Sequence, residues 1–330
     1  PATIEVALGA GRIDGLANVP ALTTDEIVET RRIVAQMGHE PIIEALKAGF
    51  DIIICGRCYD PAVFAALPIM LGHDPALALH MGKILECAAI AASPGSGSDC
   101  VLGRLFDDHF VLEPLGPDRQ FTRNSVAAHS LYEKSDPFHL PGPGGILDLE
   151  NMTYDELSDG RAKVSGTHFT PVLPYQVKLE GARSIGFRTV SIAGIRDPNM
   201  IADLDSILHD VERHCRRSMD EASILTFHAY GKNGVMGPQE PVRTPAHEIG
   251  LVIDVVAPDQ AAADGECALV RSTLLHFGFP GRLSTAGNLA FPYSPSDFVA
   301  GEVFEFSLYH LMELDDPTSL FPVVPMEFPA

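Results

Sequence analysis

The chain has no tryptophan, six cysteines in 330 residues, and 23 basic residues against 44 acidic ones. Sparse cysteines over so long a chain argue against a disulfide framework and fit reduced thiols. The formal charge of −21 repels phosphate backbones and anionic lipid, so no nucleic-acid or membrane partner is expected. No apolar run reaches the ~18–20 residues that span a bilayer. The longest candidate, Ile84 to Ile90, is short and contains Glu86. No basic segment followed by an apolar one opens the chain, so no secretory signal is read and a cytoplasmic location is expected. The 46% of hydrophobic residues excludes collagen-like and disordered chains. The length suggests two domains, at roughly 100–200 residues each.

What is present has an α/β order. Pro1 to Leu8 reads as strand-like. Thr23-Thr24-Asp25-Glu26 is a helix-start signature, and Ile27, Ile33, Val34 and Met37 follow at helical spacing up to Gly38. Pro41 to Lys47 reads as a second helix. Phe50-Asp51-Ile52-Ile53-Ile54-Cys55-Gly56 is a β-branched run of the kind buried on both faces in a parallel sheet. Helices are expected over Ala62 to Leu67, Pro75 to Ala91 and about Asn124 to Glu133. Irregular Pro/Gly-rich sequence surrounds the last of these, followed by strands at Ile146–Leu149 and Ala162–Phe169. Further on, strands at 175–180, 187–194, 223–230 and 248–256 alternate with helices near 199–216 and 260–276, and Leu289-Ala290-Phe291 would be a short final strand. This approximates the βαββαβ order of a ferredoxin-like sandwich, with both helices on one face of an antiparallel sheet. The expected fold is therefore a Rossmann-like parallel-sheet part over residues 1–150, incomplete at its start, and an α+β ferredoxin-like part over 151–330.

Three places carry candidate chemistry. Gly56-Arg57-Cys58-Tyr59-Asp60-Pro61 follows the Ile run, where ligands bind at the carboxyl ends of strands. There Arg57 can clamp a carboxylate or phosphate bidentately, and Asp60 can be a functional acid, a helix cap or both. Cys55-x-x-Cys58 lacks the context of a redox or zinc motif and reads as packing cysteines. His80, Lys83 and Cys87 share a helical face, and Lys83–Glu86 is an i, i+3 pair set among alanines, leucines and isoleucines. It is either a surface ion pair or a buried functional one. Ser93-Pro94-Gly95-Ser96-Gly97-Ser98-Asp99 is either an anion-cradling loop or a flexible link. The signatures of P-loops, dinucleotide-binding turns and nucleophile elbows are missing. Asp107-Asp108-His109 reads as a solvated turn. No metal is assigned and the cofactor is left open.

Gly56-Arg57-Cys58-Tyr59-Asp60, then Gly82-Lys83-Ile84-Leu85-Glu86-Cys87, then Asn124 to Glu133 with Asp136-Pro137, resemble in order and spacing the acyclic terpene utilisation protein A (AtuA) family. Val177-Lys178-Leu179-Glu180-Gly181-Ala182 and Gly194-Ile195-Arg196-Asp197-Pro198 are similar to the subgroup with a longer C-terminal part. The chain departs from the family in Cys58-Tyr59 and in showing no glycine-rich opening half-domain, which would be missing, trimmed or on another chain. The resemblance implies a role in breakdown of acyclic terpenes such as citronellol and geraniol, or of related branched acids. It also implies a small AtuA-like ferredoxin-fold partner, and a homo-oligomer is expected. The reading favours an enzyme of hydratase, lyase or isomerase type acting on a branched carboxylic acid or its CoA thioester. Glu86 would be the general base, Lys83 and Asp60 its catalytic companions, and Arg57, His80, Ser96, Ser98 and Asp99 would bind substrate. The alternative is a non-catalytic scaffold subunit that completes a partner's site.

Overall fold

A computed structural model describes residues 2–16, 18–132, 136–282 and 286–327. Pro1 of the expected opening strand and Glu133 of the expected helix end lie outside them. The order is α1 (Ala2–Gly9), β1 (Ile13–Gly15), α2 (Thr24–Glu29), β2 (Arg32–Ala35), α3 (Glu40–Lys47), α4 (Asp60–Met70), α5 (Pro75–Leu85), β3 (Val101–Leu105), β4 (His109–Pro114) and α6 (Arg123–Leu131). Then come β5 (His139–Gly142), β6 (Gly145–Asp148), β7 (Thr153–Glu156), β8 (Ala162–Ser165), β9 (His168–Pro171), β10 (Tyr175–Ile195), α7 (Pro198–Ala202), α8 (Leu204–Cys215), β11 (Ile224–Tyr230), β12 (Ile249–Ala257), α9 (Gln260–His276) and β13 (Asp297–Leu314). By contacts the chain divides into two compact units, residues 1–181 with 306–330, and residues 182–305.

The first unit is built around α5. Its cap is set by sequence: Asp74 accepts from the Ala76 amide and Pro75 opens the helix. A helix that is apolar all round belongs in an interior, and residues Ala76 to Ile84 are all buried. On one side lie α3, α4 and the sheet β5–β6–β9, with Ala62, Ala65, Leu79, Leu140 and Leu147 in a shared core. On another lies the sheet β3–β4–β8–β7, whose Phe110, Leu112 and Val164 pack with Met81, Ile84 and Val126.

In the second unit β10, β12 and β11 pair antiparallel, with Val190 opposite Asp254 and Thr226 opposite Asp254 from the other side. Alternate residues Ile249, Leu251, Ile253 and Val255 turn one face inward, as strand periodicity requires. On that face lie Leu204, Ile207, Leu208 and Val211 of α8 with Cys267, Val270 and Leu274 of α9. Within β10, Gly186 takes φ +131°, and a Cβ there would sit 2.4 Å from the Ala257 carbonyl oxygen, so glycine is required.

The expected Rossmann-like parallel sheet is absent among the described residues. The sheets are antiparallel, and parallel pairing is a single bridge from Met37 to Cys58. The Ile run that was to be its buried strand forms no regular element, with Ile52 73% and Ile54 84% exposed. β-propensity fits a residue to a pleated, half-buried surface but does not supply the neighbouring strand. Smaller corrections have local causes. Residues 2–9 are helical rather than extended. α2 ends at Glu29, with Thr30 extended as its C-cap, and Ile33 and Val34 join β2, which pairs with β10. α5 stops at Leu85, leaving Glu86 at its C-cap before a 3-10 turn at Ala88–Ala91. Ala290 makes one bridge to Gly194, and the closing strand is β13 instead.

Candidate active site

The site forms where three helix ends meet. Asp60 opens α4, Glu86 caps α5, and Tyr132 caps α6. Asp60, Val63, Phe64, Glu86, Cys87 and Tyr132 line a cavity of about 370 Å³. Lys83 stands behind Glu86, with Nζ 3.8 Å from Oε1 and side chains 3% and 15% exposed. The ammonium also lies 5.1 Å from the centre of the Tyr132 ring, a cation–π distance. The Tyr132 hydroxyl meets the Cys87 sulfur at 3.5 Å. Tyr59, at the N-cap of α4, has its phenol raised above the ordinary value by burial, then by the charges of Glu86 and Asp60. Both carboxylates thus act on one buried hydroxyl.

Asp60 and Glu86 come together because α4 and α5 cross closely at Gly82. A Cβ on Gly82 would fall 2.6 Å from the Pro61 carbonyl oxygen and 3.0 Å from its Cα. Backbone cannot yield as a side-chain tip does. Gly82→Ala is therefore expected to cost about 1–3 kcal/mol by overpacking, despite the better helix propensity of alanine. An unchanged or raised melting temperature would contradict this crossing.

Arg57 is held by the Met37–Cys58 bridge, in which the Met37 amide donates to Arg57 O and the Tyr59 amide to Met37 O. Its Nη2 donates to Cys58 O at 2.7 Å and to Asp60 Oδ1 at 3.1 Å, and its Nε lies 3.8 Å from Glu180 Oε2. It lines a second cavity, of about 360 Å³, with Ile33, Met37, Leu179 and Phe321. Arg57 therefore reaches the Glu86 cavity through Asp60 and does not line it. Burial pushes the Cys55 and Cys58 thiols up, the reverse of what a redox pair needs.

The other candidates lie elsewhere. Asp99 Oδ2 accepts from Arg119 Nε at 2.7 Å, a bond that lowers its carboxyl from the usual range. Ser96 and Ser98 bond each other at 3.1 Å. None of these three lines the Glu86 cavity. His80 is wholly buried, with Nδ1 2.8 Å from Thr167 Oγ1 and Nε2 3.0 Å from Ser130 Oγ. It ties α5 to α6 and so sets the height of Tyr132. Desolvation, aided by Lys83, lowers its pKa from 6.5 to about 3.

That shift gives a pH-dependent stability. The unfolded imidazole takes a proton below pH 6.5, and the folded one resists it down to about 3. The contribution is fully present above 6.5 and is lost as pH falls toward 3. Between pH 6.5 and 5 it amounts to about 2 kcal/mol. Urea unfolding at pH 7 and pH 5 should show His80→Gln losing less stability on acidification than the unaltered chain. Equal losses would contradict it.

Tyr132, Val63 and Phe64 were not read as site residues. Tyr132 stands 45 residues from Cys87, and no local pattern joins them. Among the described residues a cation could find ligands at His139, Asp148 and Glu150, whose donor atoms lie within 4.8 Å of one another. His139 and Asp148 face each other across β5 and β6, and Asp136 Oδ2 holds His139 Nδ1 at 3.0 Å. This cluster is apart from the Glu86 cavity. Among the described residues no helix is long and apolar enough to cross a membrane.

Among known families, the model of acyclic terpene utilisation family protein AtuA matches residues 15–96 and 110–295. No curated protein and no solved structure matches the chain.

Proposed function

The chain belongs to the AtuA family of acyclic terpene utilisation, and from that premise we propose that it is an enzyme acting on a branched carboxylic acid or its CoA thioester. The observation that carries this reading is the buried Lys83–Glu86 pair, whose carboxylate member lies on a cavity wall. Taking an ammonium out of water costs several kcal/mol, and packing alone gives no reason to bear that cost. A carboxylate beside such a cation in a cleft is a candidate acid–base group.

In this reading Glu86 removes a proton from the carbon next to the substrate carbonyl. That step is shared by hydratase, lyase and isomerase chemistry, so the reading needs no choice among them. Lys83, with Nζ 3.8 Å from Glu86 Oε1, offsets the negative charge that develops on the substrate. Asp60 lines the same cavity, and Arg57 sets the position of Asp60. Val63, Phe64 and the Tyr132 ring supply the apolar walls for a branched chain.

The purified chain should be incubated with branched acyl-CoA thioesters and their free acids, alongside straight-chain controls. Gain or loss of water, or a shifted double bond, is expected for branched compounds. Recovery of every compound unchanged would reject the enzymatic reading and leave a subunit that serves a partner.

A further inference from the structure

We propose that the second unit carries a binding site for a phosphate-bearing small molecule with a flat apolar part, of nucleotide type. The site is a cavity of about 600 Å³ between the start of α7, the turn after β11 and the loop over residues 240–247. All of its lining residues lie within residues 182–305. Its size is that of small-molecule pockets.

Its charge runs against the chain. Acidic residues outnumber basic ones 44 to 23 overall, yet this cavity is lined by Arg196, Lys232 and Arg243 against Glu240 alone. Lys232 is engaged, with Nζ 2.7 Å from Asp205 Oδ1. Glu240 is engaged as well, accepting from the Val242 amide at 2.9 Å. The two guanidiniums are not. Neither Arg196 nor Arg243 has an ion pair or side-chain hydrogen bond among the described residues. Elsewhere arginines of this acidic protein find carboxylates readily: Arg57 meets Asp60, Arg119 meets Asp99, Arg188 meets Asp254 and Arg271 meets Asp297. Two uncommitted guanidiniums on one cavity stand out in a chain of charge −21.

The chemistry of the donors selects the ligand class. Guanidinium forks match the paired oxygens of phosphates in a fixed plane, and two forks suit a diphosphate better than a single carboxylate. The walls between them are apolar: Pro198, Ile201, Val242, Pro245 and Ile249. Asn233 and Thr244 add amide and hydroxyl groups that can read the edge of a ring. The amides of Lys232, Asn233 and Gly234 are not anion holders, because all three donate to Ala229 O. The charge comes from side chains, so substitution isolates it. A fully hydrated inorganic anion would use the guanidiniums and leave the apolar walls idle.

Calorimetric titration of the full chain with ADP and with pyrophosphate tests this without any assay of turnover, so it stands apart from the proposed reaction. ADP is expected to bind more tightly than pyrophosphate, with pyrophosphate competing. Affinity for both should fall as salt is raised. The double variant Arg196→Gln/Arg243→Gln should lose at least about tenfold in affinity for both. Both side chains are exposed, so its melting temperature should be kept. Failure of ADP to bind at millimolar concentration, binding of pyrophosphate as tight as that of ADP, or affinity unchanged in the double variant would overturn the proposal.

Discussion

Turnover of a branched acyl substrate is expected to fall about 10²–10⁴-fold in Glu86→Gln, the usual contribution of a positioned general base. Glutamine keeps the length and outline of the side chain. Its amide oxygen still faces Lys83 Nζ, so the ammonium keeps an acceptor where the carboxylate now lies at 3.8 Å. The stability cost should therefore stay at about 1–2 kcal/mol, because a polar acceptor of the same reach remains beside the ammonium. A large kinetic loss with a small thermal one is the signature of a proton acceptor. Unchanged turnover would remove Glu86 from the chemistry.

Glu86→Leu is expected to be far more damaging to folding, by about 3–5 kcal/mol. The reason is the asymmetry of the pair: the Lys83 side chain is 3% exposed while Glu86 reaches the cavity at 15%. Leucine leaves the buried cation without that carboxylate, facing an apolar surface. Adding Lys83→Met should then recover most of the loss, since a well-packed apolar pair replaces a buried ionic one at little or no cost. The coupling between the two changes, read from urea unfolding of both single variants and the double, should be favourable by several kcal/mol. Additive effects would show that the pair is solvated and would contradict its burial.

The candidate site was legible where its logic is local. Lys83 and Glu86 stood out as charges three apart in a run of Ala, Leu and Ile, and Asp60-Pro61 stood out as a helix start. Gly82 was noticed as part of a motif, but its reason is contact with Pro61, twenty-one positions away, which spacing does not show. Tyr132 likewise stood in a motif, but its place on the cavity did not show, since it meets Cys87 only when α6 packs beside α5. His80 shares a helical face with Lys83 in sequence, yet burial places it in the core bonding Ser130 and Thr167, not substrate.

The fold shows the same limit. The amphipathic α8 and the alternation of β12 are periodic over whole elements, and both could be read directly. The Ile52–Ile54 run has equal local strength, but a strand exists only if another strand lies beside it, and here pairing stops at Met37–Cys58. β13 was missed although turn residues flank it at Pro292 to Ser296 and Asp315 to Pro317, because its inward alternation over Leu308, Met312 and Leu314 is broken by His310 and follows Gly301, Glu302 and Glu305. Its return to the first unit is a tertiary fact, set by pairing of Met312 with Ile13 at the far end of the chain.

Exchange of substrate protons with solvent tests the central claim most directly, because it reads the proposed proton removal and not the later fate of the product. A branched acyl-CoA thioester incubated with the chain in D₂O, followed by proton NMR, should lose its signal from the carbon beside the carbonyl. The same incubation with Glu86→Gln should leave that signal at the rate seen without protein. Equal exchange with both proteins, or none with the unaltered chain, would contradict Glu86 as the base.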